Sequence, residues 1–558
     1  MREKSPAKAF HRRRFLRYLG AAAKVTTGVA AFGFGPASVL SALLQTKQRL
    51  SPAQRSQRAA QVRQDAAEAN MRASATDRAH LTNGDEERYS RKFASYSKGL
   101  KHLGNGEVEP SAYQSMIAAL DSGDPADFDA IEVGGDRKLT NPQAGLAYEL
   151  EGGDTQAFVQ PPPPAFASRE LAAEIAENYW MALLRDVPFA RYDAHPTADA
   201  AARDLTQYGA DAGVAKNATG SVVPGLLFRG LTAGDAIGPY LSQFFYQPCR
   251  FGANDLERKM HTALPGDFMT AFNEGPGNWL DVQSGISPPH KINLNPVPRY
   301  MRNGRDLAQW VHVDVLFQAY FQSLLILLGT GAPLDANNPY ARSRTQMGFG
   351  TFGEPHIFSL MCKVAACALH AVWFQKWFVH RRLRPEVFAA RIHRTAYYGV
   401  AYPVHPEILN DIATLSRLGG YMTPGNALLP MAYPEGSPTH PSYGAGHATV
   451  AGACTTILKA WFDESHVIPN PLEVADDGLS IKPYTGAQLT VGGELDKIAS
   501  NVAMGRNVAG VHWRSDATQS LLMGEAIAIH FLKEQKACFN EPFKGFTLTT
   551  FGGTTQII

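Results

Sequence analysis

Cysteine is scarce in this chain, five residues in 558, and none of the five (249, 362, 367, 454 and 538) sits at metal-ligand spacing. A cysteine-held metal site is therefore excluded, and the odd count leaves at least one thiol unpaired within the chain. Cys362 and Cys367, five apart in a helical run, would lie about 140° apart around the axis, so they are poor partners. Buried, inert thiols are the expectation. Charge is also sparse, 19% against 45% hydrophobic residues, which excludes a disordered chain and implies a large core. Period-2 runs are few and no internal repeat stands out, so the fold is expected to be mainly α, with helices packed in bundles. The length allows two to four average domains or one large bundle.

The balance of signs is uneven along the chain. Residues 1–42 hold eight Lys/Arg and one acid, Glu3, so the formal net charge of +2 becomes about −5 without them. An acidic remainder argues against non-specific nucleic-acid binding. Within that basic segment, Arg12-Arg13-Arg14-Phe15-Leu16-Arg17 precedes a mildly apolar stretch to Leu44. It resembles a bacterial twin-arginine export signal, with a disordered basic tail as the alternative. The resemblance implies removal of 1–44 and a folded protein delivered to the periplasm or beyond.

Residues 45–168 divide into a polar arm to about 105, suited to subunit contacts, and a Gly/Pro/Asp-rich wrap ending in the stiff spacer Gln160 to Pro164. Residues 169–540 carry the helical body, and 541–558 form a tail. Arg169 to Leu184 reads as a helix capped by Ser168. Leu307 to Leu328 reads as one long apolar helix and Ile357 to His380 as another. Both approach membrane-span length, but Asp314, Gln318 and Gln322 interrupt the first, and Lys363, His370 and Lys376 the second. Buried bundle helices are the better reading, with no membrane span. Further helices are expected at 405–418, 447–461, 494–504 and 516–534.

Three segments carry chemistry. In His440-Pro441-Ser442-Tyr443-Gly444-Ala445-Gly446-His447, two histidines bracket a glycine-bearing turn followed at once by an apolar run. The turn thus lies at a helix N-terminus, whose free N–H groups and dipole favour an anion. Upstream, Lys376 and Arg384 stand about 12 Å apart if helical throughout, and Pro385 should stop that helix. A solvated basic helix end would explain this segment in isolation. Downstream, Arg506 and His512 would occupy different faces of one helix. Gly505 and Gly510 suggest a turn, with Ser515 or Asp516 capping the next helix, and His512 alone reads as a satisfied core histidine.

Taken together, the three segments resemble the signature of the vanadium-dependent haloperoxidases, which share an active site with the type 2 phosphatidic acid phosphatases. The likeness is closest to the algal-type bromoperoxidases and extends to Asn83 to Tyr89, Tyr179 to Asp186, Leu227 to Gly230 and His312-Val313-Asp314. It implies vanadate held by Lys376, Arg384, Arg506 and the Ala445–Gly446 turn, with His512 binding vanadium directly. It further implies His447 as the acid–base residue, Lys376 polarising bound peroxide, and His440 as the second histidine of the bromoperoxidases. Hydrogen peroxide, a halide and a small organic acceptor would be the substrates, and a homodimer or larger homo-oligomer the assembly.

Two positions depart from or vary within the family. Ala445 stands where relatives carry a serine that contacts vanadate, and Gly444 where they carry proline. The lost hydroxyl would weaken binding by roughly 1.5–3 kcal/mol, with Gly444 compensating in part through a restored N–H. Trp373, one turn before Lys376, is either a wall of the pocket or plain core. Asp314 is a candidate partner of Arg506. The alternatives are an acid phosphatase using the same cradle, or a homologue that has lost peroxidase activity through Ala445.

Overall fold

The computed structural model describes residues 50–74, 79–411 and 425–558; the basic segment and its export signal lie outside them. The helices of eight residues or more with both ends described are α1 (Pro52–Ala73), α2 (Pro110–Ser122), α3 (Arg169–Leu184), α4 (Pro196–Gln207), α5 (Gly304–Val313), α6 (Gln318–Gly329), α7 (Glu354–Phe374), α8 (Pro385–Tyr398), α9 (Gly446–Trp461), α10 (Val491–Val508) and α11 (Arg514–Cys538). Strands among the described residues form three two-stranded hairpins, three residues to a strand. Mainly α is correct. The expected helix at 405–418 is seen over 406–411, and its remainder lies outside the described residues.

The centre of the bundle is α9, which packs on α7, α10 and α11 and buries every residue except His447. Its close crossing with α11 needs two glycines. A Cβ on Gly452 would lie 2.1 Å from the Leu521 carbonyl, and one on Gly524 would lie 2.0 Å from that of Thr449. The start of α9 is thereby fixed against α11. Ser168 caps α3 by accepting from the Leu171 N–H at 3.1 Å, as the sequence implies.

Several expectations need correction. Leu307 to Leu328 is not one helix: α5 ends at Val313 and α6 leaves at 99° to it. No Gly or Pro marks the break, and Asp314 is drawn out of helical geometry to meet a histidine of the site. The polar arm enters the body early, since Phe93, Tyr96 and Leu100 are buried. The proline spacer braces the site: the Pro161 carbonyl accepts from Tyr443 Oη at 2.7 Å, and Gln160 Nε2 donates to Ser520 Oγ at 3.1 Å. The tail pairs Thr547–Thr549 with Thr555–Ile557 and buries Phe546, Leu548 and Phe551. All five thiols are free, and Cys362 and Cys538 are exposed rather than buried. By length and apolar composition, Glu354–His380 could cross a membrane, but it lies in the bundle against α9 and α11.

The end of α7 passes into a π-helical turn, Gln375–His380, and stops where Arg381 adopts a left-handed φ of 37°. His380 is buried in that turn beside the Tyr443 ring, 4.8 Å between centroids, and burial pushes its pKa down to about 3. Above pH 6.5 it is neutral in folded and unfolded chains alike. As pH falls from there towards 3, the unfolded chain takes a proton that the fold refuses, and stability is lost. His380→Phe should therefore flatten the acid limb, changing the wild-type–variant stability gap by about 2 kcal/mol between pH 7 and pH 5. Urea unfolding at the two pH values measures this; a gap that does not move contradicts it.

Candidate active site

Ala445 is the N-cap residue of α9, with extended geometry (φ −83°, ψ 120°) and no side chain to cap the helix. The first-turn N–H groups of Gly446, His447 and Ala448 are left for another acceptor, at the positive end of the helix. Gly446 lies under an indole, since a Cβ there would sit 3.1 Å from Trp373. Gly444 is required by space: a Cβ would lie 2.4 Å from Gln160 Oε1 and 2.7 Å from Ser520 Oγ. The Ala445 N–H donates to Ser520 Oγ at 2.7 Å. Gly444 thus reflects close packing under Gln160, a reason that the expectation of a restored N–H did not contain.

Lys376 projects from the π turn and donates to the carbonyls of Pro441 (2.8 Å) and Ser442 (3.0 Å). Arg384 is the N-cap of α8 with Pro385 at the first helical position, so the chain turns between the two cations rather than running straight. Its guanidinium donates to the carbonyls of His440 (2.8 Å) and Val511 (3.0 Å). Arg506 lies within α10, which continues through Gly505 instead of turning there. A Cβ on Gly505 would crowd Leu307 at 3.0 Å and Val311 at 3.1 Å, so the glycine marks a helix crossing. That crossing lets Arg506 Nη1 donate to the Val311 carbonyl at 2.7 Å, with its guanidinium 5.6 Å from the Tyr433 ring.

Lys376, Arg384 and Arg506 are all buried, and among the described residues none forms an ion pair with a carboxylate. Burial lowers the pKa of Lys376 well below the usual lysine value, and Arg384 presses it further down. Arg384 itself is lowered to about 10, burial again being the largest cause. Three buried cations that repel one another need a compensating anion.

The histidine tautomers follow from what their partners can do. Arg384 Nη1, which can only donate, lies 3.0 Å from His512 Nε2, so that nitrogen holds the lone pair. His512 Nδ1 then donates to Asp516 Oδ2 at 2.8 Å. Burial and the cations Arg384, Lys376 and Arg506 hold His512 well below its usual pKa, so its Nε2 stays available. Any loss of ligand binding through His512 protonation therefore belongs well below pH 6.5. His440 Nδ1 accepts from Arg384 Nη2 at 3.0 Å, which leaves the ring proton on Nε2. Its ring lies 4.9 Å from that of Trp373.

His447 Nε2 donates to Asp314 Oδ1 at 2.9 Å, leaving Nδ1 free to exchange a proton. Its pKa is lowered by burial, with Asp314 opposing the shift. The expected Asp314–Arg506 pairing is thus wrong: Asp314, just past the end of α5, serves His447. Expected site residues Lys376, Arg384, His440, Ala445, Gly446, His447, Arg506 and His512 come together in one place.

Sequence reasoning missed the support beneath them. Asp516 was expected only as a cap; it lies in the first turn of α11, whose N-cap is Trp513, and accepts from the Trp513 N–H at 3.3 Å. It also accepts from Ser442 Oγ at 2.5 Å and Arg382 Nη1 at 2.6 Å, while Arg382 Nη2 reaches Glu174 at 2.8 Å. The four-residue spacing of His512 and Asp516 was the available signal.

A helix-start cradle with three buried cations that form no ion pair among the described residues, and an imidazole lone pair, suits a tetrahedral oxyanion, and it is set in a helical bundle. A family profile for the VCPO second helical-bundle domain matches residues 357–541. The chain is 36% identical to the vanadium-dependent bromoperoxidase of Corallina pilulifera, over 83% of this chain and 90% of that protein. It is 35% identical to the enzyme of the same name from Ascophyllum nodosum, over 80% and 83%. In structure it is similar to the homohexameric second vanadate-dependent bromoperoxidase of Ascophyllum nodosum, with a TM-score of 0.85 and 31% identity over 92% of each chain. The chain belongs to the vanadium-dependent haloperoxidases, in the branch of the algal bromoperoxidases.

Proposed function

We propose that this protein holds orthovanadate in the cradle and uses hydrogen peroxide to oxidise bromide, and iodide more readily, to hypohalous acid or its equivalent for halogenation of an organic acceptor. The observation that carries this is the convergence of Lys376, Arg384 and Arg506, buried without a carboxylate partner, on the free N–H groups of α9. These groups fit vanadate oxygens, and His512 Nε2 fits the vanadium. When bound, vanadate supplies Lewis-acid activation of peroxide towards halide. Asp314 keeps a proton on His447 Nε2, so that Nδ1 is the atom that takes up and returns protons. Lys376 sits where its ammonium can polarise a bound oxygen, and Trp373 dries one wall beside it.

The test is bromination of monochlorodimedone by apo-protein with and without orthovanadate. Activity only with vanadate supports the reading. Phosphate-ester turnover without vanadate or peroxide would favour the phosphatase alternative, and no halide oxidation at all would favour a homologue that has lost it. Ala445→Ser discriminates further. A hydroxyl reaching vanadate should tighten its binding roughly tenfold. One that only caps α9 should raise stability by about 1 kcal/mol and leave affinity unchanged. Calorimetric titration and thermal unfolding read the two outcomes.

Assembly into a homo-oligomer and export by the twin-arginine route belong to the same proposal. The 22-residue α1 buries none of its side chains in a single chain, which suits it to contact a second copy. Light scattering that gives the mass of one chain, or retention of the wild-type precursor in the cytoplasm, would remove these two points.

A further inference from the structure

Residues 133–141 form a strap along the rim of the cradle, outside every role assigned above. Its inner edge follows the site-lining stretch 435–439. The Glu435 carbonyl accepts from Arg137 Nη1 at 3.2 Å, the Lys138 carbonyl from Thr439 Oγ1 at 2.6 Å, and the Thr439 carbonyl from the Thr140 N–H at 2.9 Å. The Thr140 carbonyl accepts from the Trp373 indole at 3.1 Å, which ties the strap to the wall beside Lys376 and His440. Its outer edge is equally fixed: the Arg137 N–H donates to the Gly285 carbonyl at 2.9 Å, and a Cβ on Gly135 would lie 2.3 Å from that same oxygen. The strap is therefore a rigid part of the rim.

The charges on it are sorted. Asp136 is turned away and held by Ser287, through the N–H at 2.8 Å and the hydroxyl at 2.6 Å. Glu435 is engaged by His312 at 2.6 Å. Arg137 is half-buried against the Glu435 carbonyl, and Lys138 is exposed with no ion pair among the described residues. Arg137 and Lys138 thus sit side by side on a strap bonded to the stretch that leads into the cationic cradle, Arg137 against Glu435 and Lys138 exposed to solvent. The opening is narrow, for Trp373 and His440 are each 8% exposed and Arg506 7%.

We infer that Arg137 and Lys138 form an electrostatic entrance that concentrates halide, and the vanadate anion during loading, at the mouth of the cradle. A rim cation over a low-dielectric pocket raises the local concentration and arrival rate of anions, leaves a neutral reactant such as hydrogen peroxide unaffected, and is screened by salt. The Arg137 guanidinium is positioned by the Glu435 carbonyl, whereas Lys138 is held through its backbone and can be changed without breaking a side-chain contact.

The inference rests on the haloperoxidase reading, and its test separates the two. Bromide kinetics of vanadate-loaded wild type, Lys138→Gln, Lys138→Glu, Lys138→Arg and Arg137→Gln are measured at low ionic strength and in added inert salt. The vanadate association rate of each apo-protein is followed by tryptophan fluorescence. The expected result is a bromide KM raised about threefold by Lys138→Gln and about tenfold by Lys138→Glu, with kcat and the peroxide KM unchanged. Lys138→Arg retains the wild-type value, and at roughly 0.5 M salt the differences close. Vanadate association slows in the same order. A bromide KM indifferent to Lys138→Glu in an active enzyme overturns the entrance, as does a peroxide KM that rises with it. If wild type oxidises no bromide, the haloperoxidase reading fails, and the vanadate rates still decide whether the entrance exists.

Discussion

Replacing His512 by alanine is expected to weaken vanadate binding by more than about 100-fold and to remove vanadate-dependent halide oxidation with it. Losing a residue that merely orients a metal ligand typically costs 10–100-fold in affinity, and His512 is proposed here as the ligand itself. Its Nε2 carries a lone pair, since it faces Arg384 Nη1 and a guanidinium can only donate. Lys376, Arg384 and Arg506 remain in the variant, so a weak electrostatic affinity for phosphate should survive. Calorimetric titration of both oxyanions reads the difference. Equal vanadate affinity in wild type and variant would show that His512 is a core histidine after all.

Asp516→Asn is expected to lower vanadate affinity by about 10–100-fold while also destabilising the fold. An amide of the same shape can present either an N–H or an oxygen to His512 Nδ1. It no longer requires that nitrogen to donate, so the tautomer that leaves Nε2 free is not enforced. The same change leaves Arg382 with Glu174 as its remaining carboxylate partner. Breaking one side of a buried ion pair costs about 3–5 kcal/mol, tempered here because Glu174 stays in place. The combination distinguishes the residue from a purely structural acid. Stability lost with vanadate affinity intact would mean that Asp516 serves Arg382 and Ser442 only.

The cradle was legible in the sequence because each of its parts has a local cause. Gly446 and His447 followed by an unbroken apolar run mark a buried helix start, and Pro385 forces Arg384 out of the helix that precedes it. What escaped depends on packing between distant segments. Nothing in Asp314-Val315-Leu316-Phe317 signals an end to the helical pattern, and the break there accompanies the bond from Asp314 to His447, 133 residues away. Gly505 looked like a turn and is a contact point between α5 and α10, a distinction that depends on what lies opposite. The π turn that presents Lys376 has no marker in composition. Gln160, at the head of a proline run that read as a spacer, supports the site through Ser520, 360 positions further on.

Equilibrium binding of orthovanadate to the apo-protein, with inorganic phosphate as competitor, tests the cradle most directly. One vanadate per chain, displaced by phosphate and accompanied by a rise in Tm that grows with ligand concentration, is the predicted result. No binding of either oxyanion by folded protein would mean that the three buried cations answer to something other than a tetrahedral anion.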